Sequence, residues 1–151
     1  MKTLQQWYDD YAVSHQNETN QKIHYVCVPV IFFSIVGLLM SIPNGLFYKM
    51  GLHNPMIGNW AVAVLIPVLL FYLRLSFPLF LRMLVFSVLC ILGNHYLGLY
   101  SPLLTTSLVI FALAWIGQFY GHKVEGKKPS FLKDLQFLLI GPAWVFEKLS
   151  N

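Results

Sequence analysis

The chain has 151 residues, of which 57% are hydrophobic and only 11% charged, against about 25% charged in soluble domains. A water-soluble fold of this length cannot hide so much apolar surface, so the composition excludes one and points to a bilayer. The formal net charge of +4 invites a nucleic-acid reading that the placement of the charges, below, makes untenable.

The N-terminal MKTLQQWYDDYAVSHQ is polar and partly acidic, unlike a cleaved signal peptide. Within it Leu4, Trp7, Tyr8 and Tyr11 fall at i, i+3, i+4 and i+7. That spacing predicts an amphipathic helix with an aromatic face, either an interfacial anchor or a wall for an acyl chain. Gln16-Asn17-Glu18-Thr19-Asn20 then reads as a bend.

Four apolar segments follow, at about 24–42, 59–73, 79–97 and 102–121. In lipid each must satisfy its own backbone polar groups, so each is expected as a transmembrane helix. The second is short, and Pro67 within it predicts a kink. Pro43, Asn44, Gly45, Asn54 and Pro55 mark the first connection as a loop. The connections 74–78 and 98–101 are tight, which makes neighbouring helices antiparallel. Beyond them, Pro129 opens an apolar segment with Phe131, Leu132, Leu135, Leu138 and Leu139, broken by Pro142. It is too short to span and reads as an interfacial or re-entrant helix. The expected fold is a single all-α integral membrane domain over 1–151. It has four transmembrane helices, an N-terminal amphipathic helix and a C-terminal interfacial or re-entrant helix. Cys27 and Cys90 fall inside apolar stretches with no CxxC pattern, and read as small buried residues.

Lys2, Lys22, Arg74, Arg82, Lys123, Lys127, Lys128, Lys133 and Lys148 fall on one side of this layout, and only Lys49 on the other. The asymmetry places both termini in the cytoplasm. The membrane would be the endoplasmic reticulum in a eukaryote or the inner membrane in a bacterium. The basic residues would face lipid headgroups, with no role for nucleic acid.

All six acidic residues share that side, as do His15, His24 and His122. Ionisable groups at membrane depth are costly and often mark a site. If the fourth helix continues past 121, Gln118, His122 and Glu125 share a face; Asn20 and His24 are also i, i+4. His15 and His24, nine residues apart, converge only if the chain bends between them. Neutral imidazole is a ligand for iron, copper, nickel or zinc, and neighbouring Asn, Gln or Glu side chains orient such rings. The alternative is three hydrogen-bonded interface histidines, and that reading fits His53 and His95 best. The chain has no HxxxH or HxxHH box, no Gly-rich phosphate loop and no GxSxG.

The sequence resembles the small membrane 2-hydroxy-fatty-acid dioxygenases, whose yeast member acts in phytosphingosine breakdown. The resemblance rests on Tyr11, His15, Asn17, Asn20, Ile23-His24 and Pro29 at one end. At the other it rests on Trp115, Gln118, Gly121-His122, Glu125, Pro129, Leu132, Gly141-Pro142 and Glu147. QFYGHKVEGKKPS is its most specific part, with Ser130 where many members have Ala. The resemblance implies an iron(II) enzyme that cleaves a long-chain 2-hydroxy fatty acid with molecular oxygen, releasing carbon dioxide and an acid one carbon shorter. It carries over His15, His24 and His122 as iron ligands and catalytic centre. Tyr11, Asn17, Asn20, Gln118, Glu125 and Glu147 are expected to support them. Lys123, Lys127 and Lys128 are either carboxylate attractors or solvated lysines. Two other readings stay open, a non-enzymatic membrane scaffold or carrier and a zinc hydrolase. Carriers need polar residues near the bilayer midplane, and the span centres are nearly free of them.

Overall fold

The computed structural model describes residues 1–126 and 137–150. Every regular element among them is helical. In chain order these are α1 (Leu4–Ala12), α2 (Glu18–Met40), α3 (Gly45–Lys49), α4 (Trp60–Leu75), α5 (Phe77–Tyr100), α6 (Leu103–Glu125) and α7 (Ile140–Ser150). Three of them, α2, α5 and α6, are long and apolar enough to cross a membrane, and α4 is a shorter apolar helix of 16 residues.

Local sequence explains where the helices start. Thr3 and Gln6 close a reciprocal capping box on α1: the Thr3 hydroxyl accepts from Gln6 N and the Gln6 amide from Thr3 N. Asn17 Oδ1 accepts from Thr19 N at 2.9 Å and Asn20 N at 3.3 Å, which caps α2. Asn59 and Ser76 cap α4 and α5 in the same way. The bend expected between His15 and His24 lies between α1 and α2.

The structure moves several boundaries. α2 begins at Glu18 rather than at 24, because Asn17 caps it there; Asn20 and His24 are therefore one turn apart on one helix. α6 runs on to Glu125, which puts Gln118, His122 and Glu125 on one face as the spacing required. The short helix α3 sits within the expected first loop. Pro142 does not break a helix: it lies in the first turn of α7, where a missing backbone N–H costs nothing. The rest of the expected C-terminal segment, from Pro129 to 136, lies outside the described residues.

Two compact units emerge, one formed by 1–32 with 111–151 and the other by 33–110. In the first, α1 packs on α7, burying Tyr8, Tyr11, Ile140, Ala143, Trp144 and Val145 together with Val28 and Ile31 of α2. Gly141 allows this approach, since a Cβ there would meet Val28 and Tyr11 at 3.1 and 3.3 Å. In the second, α4 packs on α5 around Leu65, Tyr72, Leu79 and Met83. Its interior holds Ser34, Ser87, Asn94 and Ser107, so the spans carry more buried polar groups than their composition suggested, though none of these is ionisable. Asn94 Nδ2 donates to Phe33 O and Cys90 O, and its Oδ1 sits against Gly37.

Large apolar side chains cover the outside as well. Ile66, Leu70, Val85, Leu89, Leu113 and Ile116 are each more than half exposed. In water such a surface is an aggregation hazard, and in lipid it is the expected exterior.

Candidate functional site

The first unit gathers the three histidines of the two chain ends. His15, His24 and His122 are 3%, 1% and 5% exposed. Their ring centroids lie 4.2 Å (His15–His24), 5.5 Å (His24–His122) and 6.2 Å (His15–His122) apart. His15 comes from the bend after α1, His24 from the second turn of α2 and His122 from the last turn of α6.

Two of the rings have their protons assigned by the backbone. His15 Nδ1 lies 2.7 Å from Tyr11 O, and His24 Nδ1 lies 2.9 Å from Asn20 O. A carbonyl can only accept, so Nδ1 carries the hydrogen in both, and in the neutral ring Nε2 then carries the lone pair. This is the tautomer a metal-binding imidazole needs, held by a carbonyl partner on the other nitrogen.

Aromatic rings hold His15 further. Tyr11 stacks on it at 4.1 Å with 7° between the planes, and Trp144 lies 5.6 Å from it on α7. Tyr8 fixes that wall by donating to Ala143 O at 3.2 Å. Gln21 Nε2 donates to His15 O at 2.6 Å, pinning the backbone of the bend.

Glu125 joins the two ends of the chain. Its Oε1 accepts from Gln16 N at 2.9 Å, and its Oε2 from Asn17 N at 2.8 Å and Asn20 Nδ2 at 3.1 Å. The carboxylate thus takes up backbone N–H groups at the start of α2, where a helix favours negative charge. Asn20 is fully buried and also donates to Ser14 O, so its amide has one orientation; its Oδ1, without a hydrogen-bond partner among the described residues, faces Gly121. A Cβ on Gly121 would lie 2.5 Å from that oxygen and 3.4 Å from His24 Cε1. Glycine before His122 is what lets α6 come this close to α2.

Gln118, one turn before His122, is 6% exposed, and its Oε1 has no hydrogen-bond partner among the described residues. It lines a cavity of about 20 Å³ with Tyr11, Val28, Ile31 and Trp115, room for about one water molecule. Of the remaining expected residues, Asn17 caps α2, and Glu147 lies partly exposed on α7 three residues beyond Trp144. His53 stacks edge-on with Tyr48 in the second unit, and His95 lies beside Tyr96. Lys123 is exposed, and Lys127 and Lys128 lie outside the described residues. Residue pattern alone missed Trp144, Ser14, Gln16 and Gln21. Trp144 reaches the site across the chain, Gln16 and Ser14 through backbone atoms, and Gln21 through its side-chain amide; only the Gly141-Pro142 fragment near Trp144 carried a signal.

The donors suit a borderline metal ion. Two imidazoles on one ion, at about 2.0–2.1 Å per nitrogen, have ring centroids no more than about 6.5 Å apart, and all three pairs lie within that limit. Among the described residues no group of three or more His, Cys, Asp or Glu side chains already converges as a metal shell. The ring spacing is therefore compatible with one ion, while the closing of three donors on a point requires ring rotation.

The family described as "2-hydroxy-palmitic acid dioxygenase Mpo1-like" matches residues 1–151. The chain belongs to this Mpo1-like family. The match runs through both polar ends and all the helices between, so it includes every residue of the histidine cluster. No curated protein and no solved structure matches the chain significantly.

Proposed function

We propose that this chain is an iron(II)-dependent dioxygenase of fatty acid α-oxidation. It converts a 2-hydroxy fatty acid and O2 to a fatty acid one carbon shorter, carbon dioxide and water. The observation that carries this reading is the burial of His15, His24 and His122 against one another, two of them with Nε2 lone pairs, in a member of the Mpo1-like family.

His15, His24 and His122 would hold the iron, which when bound supplies oxygen activation and a chelation point for the carboxylate and 2-hydroxyl of the substrate. The protein's own part is preorganisation. The Tyr11 and Asn20 carbonyls keep the proton off Nε2, the Tyr11 and Trp144 rings shield His15 from water, and Glu125 fixes the bend that carries it. The acyl tail lies along the apolar helices and enters from the bilayer. Lys123, exposed beside His122, attracts the carboxylate.

In this reading α4 is a fourth span, and both termini are cytoplasmic. Its 16 residues rise about 24 Å, short of the roughly 30 Å hydrocarbon core, a mismatch that local thinning accommodates. Packing of α1 on α7 supports a common side for the two chain ends, which an even number of crossings satisfies and three do not.

The test is anaerobic purification followed by metal analysis and oxygen uptake with a 2-hydroxy fatty acid. About one iron per chain, lost with activity in His122→Ala, is expected. A metal-free wild type with full activity would refute the proposal. So would a zinc-loaded protein that acts without consuming oxygen.

A further inference from the structure

The second unit contains a cleft of about 440 Å³ that the histidine chemistry does not use, within the range of about 300–1,000 Å³ common to ligand pockets. Its polar lining comes from Ser41, Asn44, Asn59, Asn94 and His95, and its apolar lining includes Met40 and Leu103. No lining residue is charged. The only charged residues anywhere in 33–110 are Lys49, Arg74 and Arg82, and none is acidic.

The polar groups have hydrogen-bonding capacity to spare. Asn44 stands at the start of α3 without making a side-chain cap, so its amide offers both a donor and an acceptor. The Ser41 hydroxyl donates to Leu38 O at 2.6 Å, which leaves its oxygen free to accept. One Asn59 amide hydrogen is committed to Pro55 O at 2.9 Å, and the second is available. His95 has no hydrogen-bond partner among the described residues, and its imidazole adds one donor and one acceptor.

This mixture selects a chemistry. No Lys or Arg lines the cleft to balance a carboxylate or phosphate, and no Asp or Glu to balance an ammonium, so leaving either unpaired there is costly. A hydroxyl gives and takes a hydrogen bond and matches groups that do the same. The apolar half of the lining calls for methylenes next to those hydroxyls. We propose that the cleft is a binding site for a neutral lipid whose head carries hydroxyl groups. It is separate from the proposed catalytic centre, and its occupancy does not depend on that centre or on any metal.

The test uses the full-length protein in nanodiscs of zwitterionic lipid, with a radiolabelled monoacylglycerol as probe and the free fatty acid of equal chain length as the charged control. Saturable retention of the monoacylglycerol and none of the fatty acid is expected at this site. The double variant N44A/H95A should weaken retention about tenfold or more, the scale of two lost hydrogen bonds. Its thermal midpoint should not move, because neither side chain makes a hydrogen bond among the described residues. Leu103→Trp, which fills the cleft from its apolar side, should abolish retention independently. The proposal is overturned by no saturable retention, by equal retention of the fatty acid through the cleft, or by both variants binding as the wild type does.

Discussion

Removing the carboxylate of Glu125 is the sharpest probe of how the histidine cluster is held. Three N–H donors converge on it, two from the backbone at the start of α2 and one from the buried Asn20 amide. Hydrogen bonds to a charged group contribute about 1.5–3 kcal/mol each when shielded. Gln16 and Asn17 are exposed, so water can replace the carboxylate there, and most of the loss falls on Asn20. A net destabilisation of about 2 kcal/mol is therefore expected for Glu125→Ala. For a chain of this size that is about 4–8 °C in the thermal midpoint. Glu125→Gln should lose about half as much, since one amide oxygen still accepts while the amide NH2 faces donors.

The positioning role makes a second, separable demand. His15 adjoins the clamped bend, so a loosened bend separates His15 from His24. Cobalt(II) binding by the purified protein, read from its visible spectrum, should weaken by tenfold or more in Glu125→Ala (about 1.4 kcal/mol) at temperatures where the variant is still folded. Asn20→Ala should do the same, and the double variant should be less than additive because the two share a bond. Glu125→Ala with unchanged midpoint and unchanged cobalt affinity would show that the clamp does not hold the site.

Glycine substitutions should separate site from scaffold. Gly121→Ala drives a methyl into Asn20 Oδ1 and against His24, and is expected to cost about 1–3 kcal/mol together with cobalt binding. Gly37→Ala drives one into Asn94 Oδ1 and Ser107 Oγ; a similar destabilisation is expected, with cobalt affinity per folded molecule unchanged. Gly45→Ala meets nothing within 4 Å and should leave both measurements at wild-type values. Tyr11→Ala removes the ring stacked on His15 as well as a buried core side chain. It should destabilise the fold by about 3–5 kcal/mol, read as a lowered midpoint, and Tyr11→Phe, which keeps the stack, should retain cobalt binding. Cys27 and Cys90 are free thiols, so a reducing agent should leave the thermal midpoint where it is.

Much of the architecture was legible in the chain because it depends on local pattern. The i, i+3, i+4, i+7 spacing of Leu4, Trp7, Tyr8 and Tyr11 gave α1, and its buried face is Tyr8 and Tyr11 as that spacing requires. The long apolar runs gave α2, α4, α5 and α6. Their ends were harder to read, because they depend on caps: Asn17 moves the start of α2 six residues earlier than the onset of strong hydrophobicity. Pro142 was misread as a terminator because proline ends a helix only from inside it, and at the first turn the same residue is at ease.

Composition and periodicity suffice for a helical membrane chain with its acidic residues and three of its five histidines concentrated near its two ends. The sequence also carries the residues of the Mpo1-like family. Helix packing is what makes these ends one compact unit, with Tyr11 stacked on His15 and carbonyls holding the Nδ1 protons of His15 and His24. It alone brings Glu125 into hydrogen bonds with Gln16, Asn17 and Asn20. Such contacts join residues more than a hundred positions apart, and their hydrogen-bond geometry is set by how α2 and α6 meet at Gly121, a relation that no local pattern encodes.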